Sequence, residues 1–258
     1  MVQRTAPRSV MTRPVDVLTP WTRREPCDPK SKMFRKIRLW WQRRRMRKDW
    51  DARARENARH YVATCQKKWS DTEFYASGEQ AVAEQILTDM GNVCQGRDPK
   101  SMRVLEIGCG AGRLTRALAN LFGEVHAVDV SGEMIELARQ ALSGRPNAHV
   151  YRNNGCDLAV IPPLEFDFAF SFIVFQHIPS REIAENYVRE VHRLLRPGAL
   201  FKFQVQGFPG SDSGPLNTWT GASFSVEQAA GMAERTGFDL RFHVGAGEQY
   251  FWLWFFKK

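Results

Sequence analysis

At 258 residues the chain can fold as one large α/β domain with its own core but is short for two full domains, so one catalytic domain plus an appendage is expected. Hydrophobic residues at 43% and charged residues at 25% exclude a largely disordered or membrane-embedded polypeptide. The net charge of +9 belongs to the N-terminal arm, where residues 1–48 hold 15 Lys and Arg against 3 Asp and Glu, leaving 22 against 25 for the rest. A slightly negative body has no global reason to seek phosphate backbones, whereas the arm can bind acidic surfaces.

Residues 1–31 contain Pro7, Pro14, Pro20, Pro26 and Pro29 and are expected to form a tail without regular structure. From Met33 to Lys48, the residues Met33, Ile37, Trp40 and Trp41 recur at i, i+4, i+7 and i+8 among Arg and Lys, which predicts a short basic amphipathic helix. A second helical pattern carries Ala54, Ala58, Tyr61, Val62 and Cys65. A third is expected to open at the capping-box pair Ser77 and Gln80 and to run towards Met90. The chain is thus divided into a basic tail and amphipathic helix at 1–48, a helical lid or cap at 49–100, and a catalytic domain at 101–258.

From Met102 the texture changes to short β-type runs, at 103–107, 124–130, 149–153, 166–172 and 199–205, alternating with helical segments. Such alternation predicts a parallel sheet with helices on both faces. A helix opening at Ser225 leads into the runs 238–244 and 249–256. The short Gly245–Gly247 connection forces those last two strands to be antiparallel neighbours. The expected fold class is α/β, a seven-stranded, mostly parallel, doubly wound sheet with an antiparallel C-terminal pair and N-terminal helices.

The segment from Val104 to Gly112 (VLEIGCGAG) reads as a strand entering a Gly-rich turn, at the carboxyl edge where open α/β sheets bind ligands. The spacing is G-x-G-x-G, with Arg113 next, and not the G-x-G-x-x-G of dinucleotide sites. Glu106, two residues before Gly108, would repel a pyrophosphate but suits an ammonium group, which disfavours a nicotinamide oxidoreductase. Asp129 ends the second strand, where a carboxylate can accept both hydroxyl protons of a ribose.

These residues, with VDVS, FDFAFSFIVFQHIP and LLRPGALFKF, resemble the class I (Rossmann-like) S-adenosylmethionine-dependent methyltransferases, particularly their small-molecule branch, over about residues 100–205. The resemblance implies S-adenosylmethionine as cofactor. It gives the methionine end to Glu106, Gly108, Cys109, Gly110 and Gly112, the ribose to Asp129, and the adenine face to Val130 and Met134. Asn154 matches the position near the adenine amine, with Gly155 beside it and Asp157 as the alternative. Phe172, Gln176 and His177, after the fourth strand, fall beside the methyl acceptor, and His177 is the candidate base because imidazole titrates near neutrality. The other reading of His177 is a pocket-shaping or helix-capping residue. His60, His126, His149, His192 and His243 are read as structural, and no metal is expected. Trp50, Tyr61, Trp69, Phe74, Tyr75 and Trp219 can cover the pocket or serve as core.

The Asn/Asp-Pro-Pro-Tyr/Phe motif of nucleic-acid and glutamine N-methyltransferases is missing at 171–174, which weighs against a base or amide nitrogen as acceptor. The expected activity is methyl transfer by in-line displacement to a small or medium-sized metabolite, such as a sugar or a lipid-linked intermediate. The alternative is a nucleic-acid or anionic-membrane binding protein with a methyltransferase-like body. Residues 33–48 are expected to meet an anionic membrane surface outside the catalytic machinery, with an ordinary lid helix as the rival reading and nucleic acid third. Five widely spaced cysteines without a C-x-x-C pair fit a reducing cytoplasm, and no apolar run is long enough to span a bilayer. A cytoplasmic, at most peripheral, protein is expected.

Overall fold

The computed structural model of the chain describes residues 29–208 and 218–258. The tail expected at 1–31 lies almost wholly outside them. Seven strands form one sheet: β1 (Arg103–Ile107), β2 (Glu124–Asp129), β3 (Ala148–Arg152), β4 (Phe166–Ser171), β5 (Leu195–Val205), β6 (Phe238–Val244) and β7 (Phe251–Lys257). Their order is β3-β2-β1-β4-β5-β7-β6. The first five pair in parallel, and β7 enters antiparallel between β5 and β6. The order reverses between β1 and β4, and the carboxyl ends of those two strands open the crevice at which such sheets bind ligands.

Helices cover both faces. On one, α6 (Arg181–Leu194) and α7 (Val226–Thr236) bury Ile183, Val188, Val191, Ala229 and Met232 against Leu105, Phe201 and Phe203. On the other, α2 (Asp71–Gln85), α3 (Met90–Cys94) and α4 (Arg113–Leu121) pack Val82, Val93, Leu114 and Leu118 against Val104, Phe168 and Phe170. The helix α5 (Gly132–Ala141) extends that layer through Ile135 and Ala138. Covered on both faces, β4 is buried at every position, with Phe166, Phe168 and Phe170 alternating with Asp167, Ala169 and Ser171.

The N-terminal helices differ from the sequence expectation. The patterns at 33–48 and 54–65 belong to one long helix, α1 (Pro29–Val62), interrupted at Asn57, whose backbone is extended (φ −166°, ψ 81°). The boundary expected at residue 48 therefore falls within a helix, and Cys65 lies beyond it, exposed. The next helix starts earlier than Ser77. Ser70 caps it with Glu73 in a reciprocal box, and Asp71 and Glu73 place acid in the first turn, where the helix dipole favours it. Ser77 sits inside the helix and donates to the Phe74 carbonyl.

The docked face of α1 also differs from the stripe read in the sequence. Leu39, Gln42, Met46, Trp50, Ala54 and Ala58 turn towards the domain, whereas Met33, Ile37, Trp40 and Trp41 stay between 44% and 58% exposed. Side-chain links hold the helix down: Ser131 Oγ donates to Asp51 at 2.7 Å, Arg55 pairs with Glu133 at 2.8 Å and Arg35 with Glu182 at 2.6 Å. Among the described residues no helix is long and apolar enough to cross a membrane.

Candidate active site

The loop after β1 bends back on β2. The N–H groups of Gly108 and Cys109 both donate to the Val128 carbonyl, at 2.8 and 3.0 Å. Gly108 and Gly110 have φ of 82° and 52°, and a Cβ on either would strike Val174 or Val62, so bare backbone is required on both counts. Gly112 serves a different purpose. It is the N-cap of α4 and lies against the backbone of Ala138, so its missing side chain lets α4 and α5 approach.

A cavity opens in front of this loop. Gly108, Cys109, Gly110, Asp129, Val130, Met134, Phe172 and His177 all line it, so eight of the residues expected at the site converge. Glu106 sits behind the loop, buried, with its carboxylate accepting from Thr115 Oγ1 at 2.7 Å. Burial pushes its carboxyl up to about 7 against the opposing pull of the Thr115 hydrogen bond and Arg113. Burial likewise pushes Asp129 up to about 6, against hydrogen bonds from the Ser131 and Gly110 N–H groups. Arg113 lines the wall and donates to the Ser77 carbonyl, and its Nε has no hydrogen-bond partner.

Asn154 and Asp157 are not brought into the cavity. Asn154 is exposed and occupied with Asp157, donating to its carboxylate at 2.6 Å and accepting from the N–H groups of Cys156 and Asp157. Asn153 lines the cavity instead, buried, donating to the Tyr187 hydroxyl and accepting from the N–H of Gly155. Gly155 packs on Val130 and Met46 in the wall.

At the other end, the segment after β4 carries Phe172, Ile173, Val174 and His177 into the cavity. Ile173 adopts φ 57°, a strained conformation for a β-branched residue. Gln204 from β5 supports it, accepting from Ile173 N at 3.1 Å and donating to Gln176 Oε1. His177 is buried between Trp50 and Trp219, with ring centroids 5.3 and 5.2 Å away. Its Nδ1 faces the Trp219 carbonyl, which can only accept, so Nδ1 carries the proton and Nε2 presents a lone pair, 3.3 Å from the Gln176 amide nitrogen. Burial drives the imidazole down to about 4. Burial thereby favours the neutral ring, a weaker proton acceptor than an imidazole titrating near neutrality.

Helix α1 closes the cavity with Met46, Trp50, Tyr61 and Val62. Met46 belongs to the arm expected to stand outside the machinery, so the arm contributes part of the wall. Sequence reasoning also missed Asn153, Gln204 and Ile173.

Strand order, switch point and glycine loop together define a class I, Rossmann-like methyltransferase fold. Residues 104–198 match the family model described as a methyltransferase domain. It is similar to the ubiquinone biosynthesis O-methyltransferase of Xanthomonas campestris, 32% identical over 97 residues, covering 37% of this chain and 39% of that one. The enzyme of the same name from Methylocella silvestris is 28% identical over 152 residues, covering 59% and 56%. The chain thus spans about two-fifths to just over half the length of these curated relatives. Among solved structures, magnesium protoporphyrin IX methyltransferase from Synechocystis with bound S-adenosylhomocysteine superposes with a TM-score of 0.60. It is 15% identical and covers 84% of this chain and all of that one, a likeness of fold.

Proposed function

We propose that this protein transfers the methyl group of S-adenosylmethionine to a small or medium-sized metabolite. The observation that carries the reading is one cavity uniting the bare glycine cradle and the Asp129 carboxylate with Phe172, Ile173 and His177 at the end of β4. The donor set suits the cofactor. Asp129 spends one hydrogen bond per oxygen on Gly110 and Ser131 and retains lone pairs for ribose hydroxyls, while Val130 and Met134 offer an apolar face for adenine.

When bound, the sulfonium supplies an already activated methyl, so the chain's task is alignment and exclusion of water. Trp50, Tyr61 and Met46 line the cavity with largely apolar surface. Phe172 and Ile173 set the approach of the acceptor. Neutral His177, its Nε2 lone pair facing the Gln176 amide, shapes the acceptor end of the cavity.

The exposed Met33, Ile37, Trp40 and Trp41, ringed by Arg and Lys, favour a lipid-linked acceptor met at an anionic membrane surface. That surface contact, the division into arm, cap and catalytic domain, and a peripheral location all belong to the proposal. The test is to incubate the protein with methyl-labelled S-adenosylmethionine and separate lipid and aqueous extracts of the host. Label in a lipid-extractable product supports the reading in full, label in an aqueous metabolite removes the lipid link, and no transfer with no cofactor binding sinks it.

A further inference from the structure

At the amino-terminal edge of the sheet, β2 and β3 bring three ligand-type side chains together, away from the cavity at the other end of the strands. Glu124 and His126 are two residues apart on β2 and share a face, and His149 is the direct cross-strand neighbour of His126. The sequence gives no C-x-x-C or H-x-x-H spacing here. Only the parallel register makes the group, and His126 and His149, read as structural from sequence, become neighbours.

The three side chains offer ligand atoms all within 4.8 Å of one another. His126 Nε2 is 3.1 Å and His149 Nε2 3.3 Å from the same oxygen, Glu124 Oε1. A tetrahedral ion with bonds of about 2.0–2.2 Å to nitrogen and oxygen holds its ligand atoms roughly 3.3 Å apart. Both contacts are therefore already near the edge length of a coordination tetrahedron.

The surroundings orient the ligands as a metal site requires. Arg103 holds the second oxygen, Glu124 Oε2, at 2.6 Å, leaving Oε1 towards the imidazoles. The Tyr151 hydroxyl engages His126 Nδ1 at 3.0 Å and frees Nε2 as the ligating nitrogen. His126 is 2% exposed, and its buried Nε2 meets Glu124 Oε1 at 3.1 Å without the alignment of a hydrogen bond. Phe166 stands edge-on to the ring at 5.3 Å. The His149 side chain is 39% exposed and gives the site an entrance from solvent.

We propose that Glu124, His126 and His149 bind one divalent transition-metal ion of the zinc class, with its fourth position open to water. Two imidazoles and one carboxylate suit such an ion, whereas calcium and magnesium demand oxygen ligands. The ion ties β2 to β3 and has no part in methyl transfer, since the strands run from this edge to Asp129 over five residues, about 16 Å.

The test uses the full-length, untagged protein stripped with a chelator. Zn²⁺ is titrated calorimetrically, Co²⁺ is followed by visible absorption, and Tm is read with and without metal. One equivalent of Zn²⁺, a Co²⁺ band typical of tetrahedral coordination and a saturable rise in Tm are expected. His149→Ala removes an accessible ligand without opening the core and should lower Zn²⁺ affinity roughly tenfold or more, and Glu124→Gln should do the same. Both should keep the wild-type far-ultraviolet spectrum. Absence of a Co²⁺ band and of any Tm response in the wild type overturns the site, as does wild-type affinity in both variants.

Discussion

Asp129 Oδ2 accepts the backbone N–H of Gly110 at 2.9 Å, while its other oxygen takes the N–H of Ser131 at the same distance. One carboxylate thereby fixes the glycine loop after β1 to the turn that starts α5. The group proposed to hold the ribose also holds the shape of its own pocket.

Asp129→Ala is expected to weaken S-adenosylmethionine binding by one to two decades, from loss of a charge-assisted contact of about 1.5–3 kcal/mol. Asp129→Asn should lie between, because an amide oxygen can keep only one of the two backbone donors. Calorimetry on both variants measures this. Unchanged affinity in the alanine variant places the adenosine elsewhere.

Glu106 leads to a pair of effects. Its carboxyl is pushed up to about 7 by burial, so the folded state prefers the neutral form. A folded pKa above the unfolded one means that the stabilising contribution is complete below the ordinary carboxylate range and disappears as pH rises through about 7. Glu106→Gln keeps an acceptor for Thr115 and removes the buried charge. The apo variant should be more stable than wild type at pH 8, by about 1–3 kcal/mol, and indistinguishable near pH 4. Cofactor affinity tests the role that the resemblance gives Glu106: a fall assigns it to the methionine ammonium, and an unchanged value leaves it as support behind the loop. Thermal melts at the two pH values, paired with calorimetry, test both halves, and a variant less stable at pH 8 contradicts the assignment.

His177 should leave no mark on the pH profile near neutrality. With its imidazole at about 4 and Nδ1–H donated to the Trp219 carbonyl, it is neutral throughout the working range. At saturating cofactor, kcat for an identified acceptor is expected to show no limb near pH 6.5, and His177→Gln should raise KM more than it lowers kcat. A limb near pH 6.5 that vanishes in the variant would restore the general-base role.

The strands and the glycine cradle were legible because their signals are local. The run from Val104 to Gly112 needs its glycines for backbone reasons, and Asp129 ends a strand that any reading of 124–130 finds. Asn153 was missed for Asn154 because β3 ends at Arg152 and no periodicity carries past it, and burial against Tyr187 decides which of the two turns inward. Gln204 and Ile173 meet only through the pairing of β4 with β5, and a β-branched residue at positive φ has no sequence signature. In α1, the docked stripe through Leu39, Gln42 and Met46 holds fewer large apolar residues than the stripe left in solvent, so periodicity found the exposed stripe and missed the docked one.

The two stripes separate the two roles of the arm. Met46 lines the cavity, so deleting residues 1–48 should weaken S-adenosylmethionine binding, contrary to the expectation that the arm stands outside the machinery. Removing a buried Met from the wall is worth about 2–5 kcal/mol in packing, which should appear as a lower Tm as well as a lower affinity. The outward face makes no such contact. Trp41 is 58% and Met33 55% exposed, and substituting Trp40, Trp41 and Ile37 by Ser should leave cofactor affinity and Tm at wild-type values. Apolar insertion and about 1 kcal/mol per basic residue near an anionic leaflet both predict binding to anionic vesicles. Full-length protein should therefore sediment with phosphatidylserine-containing liposomes at low salt, and the triple variant should not. Equal sedimentation of the two proteins would assign the interaction to charge alone, and no sedimentation of the wild type would leave α1 as a lid with an exposed aromatic edge and no membrane contact.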